Sequence, residues 1–463
     1  MFKDFIYANR RDRLRKEVGS GIILLLGNDE SPMNYKDNTY HFRQDSSFLY
    51  FFGINRPGLY AVVDTEKGTD TVYGDDYTVE DFVWRGKQPT IAEEGSLSGV
   101  KETGSLKTLI QLLEAASKAG KQIHFLPPYR PENILKLHNL LGMSPHQVVQ
   151  SASIPLIKGI VSQRNIKSDE EISEIEKAVN TSVDMHLAAI KMARPGMKEC
   201  EIAAEMERIA LAAGGHISFP VIATINGETL HNHFHGNTLK DGKLFMLDCG
   251  AETSMGYSGD LSGTFPVSKT FKEKQKEIYQ IVLNAHMAAV KGLKPGIKFK
   301  EIHHIACLTI TKGLKEMGFM KGDPEEAVNA GAHALFFPCG TGHMMGLDVH
   351  DMEDLGEVYV GYEGEPKSTQ FGLKSLRLGR ELKPGFVLTI EPGIYFISEL
   401  IDLWEQEGRF REFLNYDKIN RYKGFGGIRN EENYAITNEG ARLLGKPKPM
   451  TINEIEHLRN TNS

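Results

Sequence analysis

Cysteine is scarce in this chain. Its four cysteines, Cys200, Cys249, Cys307 and Cys339, form neither a CxxC pair nor the close spacing of a disulfide scaffold, which fits a reducing compartment. No stretch approaches the ~20 apolar residues of a membrane helix. The apolar run Gly21–Leu26 is only a strand's length, follows a charged helix-like segment and ends without a small-residue cleavage site. That argues against a signal peptide and for a buried strand. Charge of one sign is also lacking: the net charge is −7, which disfavours nucleic-acid and polybasic membrane surfaces. No GxSxG elbow, phosphate-binding P-loop, strand-following GxGxxG or HExxH helix occurs. The expectation is a cytoplasmic protein with neither nucleic acid nor membrane as partner.

At 463 residues the chain is too long for one ordinary core, so two domains are expected. Apolar residues at 40% and charged residues at 25% suit a globular protein. Over residues 1–160, short apolar runs (GIILLLG, SSFLYFFGI, LYAVVD) alternate with helical periodicity, an α/β pattern. The character changes near Arg164–Ser168. Ser168 and Glu171 form a capping-box signature ahead of Ile172, Ile175, Val179, Val183 and Leu187, so a second domain over 165–463 is expected to open on a long amphipathic helix. Within it HLAAIKMARPGMK (His186–Lys198) returns as HMAAVKGLKPGIK (His286–Lys298). Such a duplication predicts two αβ halves facing each other across a cleft.

The stretch FFPCGTGHMMGLDVHD carries His343 and His350 in a glycine-rich setting, with Cys339 four residues before the first histidine. Elsewhere, FMLDCGAETSMGYSGDLSGTFPV reads as strand, turn, strand, with Asp248 after an apolar run and Asp260 opposite it across the hairpin. Two turn-capping aspartates would give the same pattern. GFVLTIEPGIYF ends an apolar strand on Glu391, and KGFGGIRNEENYAIT places Glu431 beside Arg429, where an ion pair between the two is the structural alternative. Glutamate is almost never fully buried unpaired. Taken together, Asp248, Asp260, His343, Glu391 and Glu431 are four carboxylates and one imidazole at strand ends of one domain. Their charge matches two divalent ions, and an oxygen-rich set favours Mn²⁺ over thiolate-bound zinc. Two such ions can hold a bridging hydroxide nucleophile and stabilise an oxyanion, which points to hydrolysis of an unactivated carbonyl derivative.

These motifs, in this order over Lys167–Gly445, resemble the pita-bread metallopeptidases, in particular the Xaa-Pro branch of prolidase and aminopeptidase P. FRQDSSFLYFFGINRPGLYAVVD extends the resemblance into the N-terminal domain, which methionine aminopeptidases lack. The resemblance implies an α/β creatinase-like N-terminal domain, a duplicated α+β pita-bread catalytic domain, and a homodimer. It implies that Asp248, Asp260 and Glu431 hold one Mn²⁺ and Asp260, His343, Glu391 and Glu431 the other. Glu391 would also shuttle the proton to the leaving proline nitrogen. His231, in TLHNHFHGN, and His350 would contact substrate, His350 steadying the transition state. Arg429 would buttress the site and bind substrate.

Within the branch, the 39 positions between Glu391 and Glu431 resemble prolidases. Arg377 of GLKSLR falls where prolidases hold the free carboxylate of a dipeptide's proline, a task suited to a guanidinium fork. The expected substrate is therefore an Xaa-Pro dipeptide, with aminopeptidase P action on longer Xaa-Pro peptides as the alternative. A catalytically silent peptide-binding relative and a metal-free amidinohydrolase are further readings, both disfavoured by the complete ligand set. His233 and His235 alternate with His231, so a strand there would put all three on one face. Cys339 stands where the family usually has a histidine and is expected to support the site without binding metal. Gly263 replaces a frequent arginine, and the Asp248–Asp260 spacing is one residue longer than usual.

Overall fold

A computed structural model describes residues 1–461. The chain divides into two compact units: Met1–Arg164 with Met352–Tyr359, and Asn165–Asp351 with the chain from Val360 onward.

The first unit is built on a five-stranded mixed sheet, in the order Glu102–Gly104, Asp70–Tyr73, Tyr60–Asp64, Ile22–Leu26, Ile123–His124. Ile22–Leu26 pairs antiparallel with Tyr60–Asp64 and parallel with Ile123–His124. Its side chains are buried on both faces of the sheet, which explains its unbroken apolar character. The apolar run at 46–52 is instead a helix, Ser46–Phe52. Asp45 caps it by accepting the Phe48 N–H at 2.8 Å, and Gly53 closes it in the left-handed region at φ 66°. All seven residues are buried, so no polar face marks a helical period.

The second unit opens as the capping box requires. The Ser168 hydroxyl accepts from Glu171 N–H, and the Glu171 carboxylate accepts from Ser168 N–H, ahead of the helix Asp169–Met192. Each copy of the repeat is helix, Pro-Gly turn, helix: Asp169–Met192 then Glu199–Ala212, and Glu273–Gly292 then Phe299–Glu316. The turn glycines share a left-handed conformation, Gly196 at φ 92° and Gly296 at φ 85°, where a side chain would strain the backbone. His186 and His286, matched in the repeat, are both fully buried.

One three-stranded sheet places Leu244–Cys249 between Ile222–Thr224 and Leu261–Pro266; another places Glu432–Ile436 between Val387–Ile390 and Ala441–Leu443. A third ladder joins Gly393–Tyr395 to Gly427–Arg429. Ile390 faces Glu432 and Gly393 faces Arg429, so the two ladders share one register, broken at Glu391–Pro392 and Asn430–Glu431. Proline has no N–H to donate there. The segment between these strands folds as helices Ser398–Gln406 and Tyr416–Ile419, whose Ile401, Trp404, Tyr416 and Ile419 join the main core.

Candidate metal centre

Asp248 lies on the central strand Leu244–Cys249, and its direct partner across the hairpin is Ser262. Asp260, expected opposite Asp248, lies two residues before Ser262, just outside the strand. Strand parity still puts positions 260 and 262 on one face, and Asp260 is fixed there by Asn433, whose side-chain oxygen accepts the Asp260 N–H at 3.1 Å. Glu391 and Glu431 sit at the register break. They end up beside each other because the break releases both from regular pairing at the same level of the ladder. Glu391 N–H donates to the Thr341 carbonyl at 2.8 Å and Glu431 N–H to the Ser262 carbonyl at 3.0 Å.

His343 is buried, and its Nε2 stands 3.3 Å from Asp260 Oδ2 and 3.6 Å from Glu391 Oε1. Its Nδ1 lies 3.0 Å from the Met344 carbonyl, and its N–H donates to Thr389 Oγ1 at 3.1 Å. Nδ1 protonated toward that carbonyl leaves the Nε2 lone pair for a metal. Ligand atoms of Asp260, His343 and Glu431 all lie within 4.8 Å of one another. Asp260, His343 and Glu431 thus come together, with Glu391 beside His343 and Asp248 within reach of the charges of Asp260 and Glu391.

Arg429 is the cation nearest the cluster, and its partner is Asp248 rather than Glu431. Its Nη2 donates to Asp248 Oδ2, its Nε to Ser262 Oγ at 2.8 Å and its Nη1 to Tyr395 Oη at 2.9 Å. Ser262 Oγ donates onward to Glu431 Oε2 at 2.7 Å. The alternative ion pair between Arg429 and Glu431 is therefore replaced by a relay through Ser262.

The electrostatics show what this set is suited to hold. Burial, and then the neighbouring carboxylates Asp260 and Glu391, outweigh Arg429 and push the Asp248 carboxyl up to about 7. Burial and the like charges of Asp260, Glu391 and Asp248 raise Glu431 well above the usual range, and burial raises Glu391. Burial alone would lower His343, but Asp260 and Glu391 raise it. Asp248 Oδ1 and Glu431 Oε1 are buried without a hydrogen-bond partner among the described residues. Buried carboxylates crowded beyond the charge of one arginine, with unsatisfied oxygens, fit divalent cations.

His350 packs edge-on against His343, with ring centroids 4.3 Å apart. A fully buried ion pair anchors its loop, Lys167 Nζ to Asp351 Oδ2 at 2.8 Å. His231 is exposed, in a turn after Ile222–Thr224. Partial desolvation, then the charges of Arg429, Arg377 and His233, hold its imidazole below the usual range. Arg377 also acts on Glu391, so its charge reaches both residues. Residues 231–237 do not form the strand that would align His231, His233 and His235; His235 Nε2 instead lies 2.9 Å from the Val221 carbonyl. Among the described residues these histidines form no metal-ligating group.

Among the described residues Cys339 is not part of the Asp260, His343 and Glu431 group. It hydrogen-bonds Tyr395, and burial followed by the charge of Glu391 pushes its thiol up to about 12. It therefore faces the site through the tyrosine that holds Arg429. Gly263 has a local reason: a Cβ there would meet His186 Nδ1 at 3.3 Å. Ser262, Thr341, Thr389, Tyr395 and Asn433 are supports that the sequence did not single out. Their only signal was proximity in sequence to the ligands, without a pattern of their own.

A model of metallopeptidase family M24 matches residues 173–438, and one of the aminopeptidase P N-terminal domain matches residues 7–124. The human Xaa-Pro dipeptidase is 32% identical, over 96% of this chain and 90% of that protein. The Haemophilus influenzae Xaa-Pro aminopeptidase is 30% identical, over 98% and 97%. A zinc-substituted Escherichia coli aminopeptidase P in complex with product matches the fold with TM-score 0.80 at 25% identity, over 100% of this chain and 99% of that one. With its family match covering more than half its length, this chain is a member of metallopeptidase family M24, carrying an aminopeptidase P-type N-terminal domain ahead of a pita-bread catalytic domain.

Proposed function

We propose that the protein hydrolyses Xaa-Pro peptide bonds, as a prolidase-like dipeptidase. The convergence of Asp260, His343 and Glu431 within 4.8 Å, beside the unpartnered oxygens of Asp248 and Glu431, carries this reading. Asp248, Asp260 and Glu431 would hold one divalent ion, and Asp260, His343, Glu391 and Glu431 the other. The five-residue set is rich in oxygen and free of thiolate, which favours Mn²⁺. When bound, two ions supply an activated water and charge to stabilise an oxyanion.

The chain's own residues supply the rest. Net reaction adds water across the C–N bond: its hydroxyl goes to the carbonyl carbon and its proton to the proline nitrogen. Glu391, whose carboxyl burial raises, would carry that proton. His231 and His350 would contact substrate: His350 packs against His343, and the charge of Asp260 reaches His231. Arg377 would receive the free carboxylate of a C-terminal proline, and its charge already acts on Glu391 and His231. A dipeptide presents that carboxylate next to the scissile bond; a longer peptide does not. The proposal includes a cytoplasmic homodimer, consistent with four unpaired cysteines.

The test is hydrolysis of Ala-Pro and of Xaa-Pro tripeptides by Mn²⁺-loaded protein. Preferential cleavage of Ala-Pro supports the dipeptidase, and preference for the tripeptides would reassign it as an aminopeptidase. Cleavage of neither would overturn the peptidase reading.

A further inference from the structure

Away from the carboxylates, a second group of ligand-type side chains is sealed in the catalytic unit. His303 and Cys307 lie one turn apart on one face of the helix Phe299–Glu316, and His333 comes from the 3-10 turn Ala332–Leu335. One ligand atom from each lies within 4.8 Å of the others. The three residues are 3%, 1% and 5% exposed, so solvent does not serve their polar atoms.

Two details distinguish this group from ordinary core packing. His303 Nδ1 is 2.8 Å from Thr341 Oγ1, while its Nε2 is 3.4 Å from Cys307 Sγ. Around a tetrahedral zinc, with nitrogen at ~2.1 Å and sulfur at ~2.3 Å, two ligand atoms stand about 3.6 Å apart. The Thr341 hydroxyl at Nδ1 fixes the ring, as an outer partner fixes a metal-ligating histidine, and Cys307 Sγ lies closer to Nε2 than to Nδ1, which is 3.9 Å away. A simple S–H···N hydrogen bond would also explain that pair, but it leaves His333 unexplained. Neither ring nitrogen of His333 has a partner among the described residues. An unmade hydrogen bond on a buried group costs ~1–3 kcal/mol, and a shared cation would satisfy that ring. Burial also holds both imidazoles well below their usual pKa, His303 at about 3 and His333 at about 4, which keeps them in the neutral, lone-pair-donating form.

We infer that His303, Cys307 and His333 bind one zinc-class divalent ion, separate from the carboxylate centre and of opposite preference. A thiolate with two imidazoles selects a borderline-soft ion, where the carboxylate cluster selects a hard one. The metal displaces the thiol proton of Cys307 to solvent on binding. Its consequence is positional. Thr341, whose hydroxyl contacts His303, accepts the Glu391 N–H through its carbonyl and lies two residues before His343. An ion here fastens the helix Phe299–Glu316 to the segment that presents His343.

Cobalt(II) substitution of the metal-stripped full chain tests this independently of any peptidase activity. The carboxylate centre has no sulfur donor, so a near-ultraviolet sulfur-to-cobalt charge-transfer band reports on the second site alone. The expected result is that band at one equivalent, lost in Cys307→Ser and kept in Cys339→Ser. Absence of the band from the wild-type chain overturns the inference, whether or not the variants fold. So does a band that survives Cys307→Ser, or one that disappears with Cys339→Ser instead. In Asp260→Asn, which weakens the carboxylate centre, one tightly held zinc is still expected by elemental analysis, and its loss would contradict the inference.

Discussion

Ser262 donates its hydroxyl to Glu431 at 2.7 Å and receives the Nε–H of Arg429 at 2.8 Å, from the strand position directly facing Asp248. One small hydroxyl thereby orients a carboxylate proposed as a ligand and the arginine that balances its neighbour. Outer hydrogen bonds of this kind typically change metal affinity by ~10–100-fold. Ser262→Ala is expected to weaken Mn²⁺ binding by that factor while leaving the fold intact, as read by calorimetric titration alongside circular dichroism.

Arg429 is buried among Asp248, Ser262 and Tyr395. Removing it leaves buried Asp248 without its ion-pair partner, which costs about 3–5 kcal/mol for a buried pair. Arg429→Met is therefore expected to lower the stability of metal-free protein by roughly that amount in urea denaturation. Added Mn²⁺ should recover a large part of the loss, because the ion takes over the neutralisation.

Cys339 contacts Tyr395 and not the ligand cluster. Cys339→Ala should leave the Mn²⁺ equivalents unchanged. Cys339→His should also leave them unchanged and raise kcat/KM on Ala-Pro by ~10–100-fold, the size of a supporting hydrogen bond's effect.

His186 and His286 make a pH prediction. Burial first, and Lys448 second, lower both imidazoles to about 3. Below about 6.5 the unfolded chain takes up protons at these histidines and the folded chain does not. Their contribution to stability is therefore full above pH 6.5 and is lost as pH falls toward 3. The slope approaches ~1.4 kcal/mol per pH unit for each residue. Stability measured by urea denaturation between pH 7 and 5 should fall less steeply in His286→Gln than in wild type.

The carboxylates proposed as ligands stood out in the sequence because each is an acidic residue at or near the end of an apolar strand, a position that packing alone does not explain. The helix starting at Asp169 was legible from a local rule, the capping box. Relationships that depend on register were not. Counting along the hairpin put Asp260 opposite Asp248, whereas pairing puts Ser262 there and Asp260 two residues away on the same face. The arginine beside Glu431 in sequence turns to Asp248, because the guanidinium reaches across the ladder rather than along the strand. His231, His233 and His235 alternate as a strand would, yet the chain there is irregular and His235 turns to a backbone carbonyl. The His303, Cys307 and His333 group was invisible for a different reason. Its members come from two elements with no CxxC or HxxxH signature, and His333 reads as part of the apolar segment GAHALFF.

Calorimetric titration of Mn²⁺ into the metal-free chain and into Glu431→Gln tests most directly whether the five side chains form a two-ion centre. Two ions bound per wild-type chain, with both weakened in Glu431→Gln because that carboxylate would belong to both ligand sets, is the predicted result. A single Mn²⁺ or none in the wild type, or a Glu431→Gln isotherm indistinguishable from it, would contradict the centre.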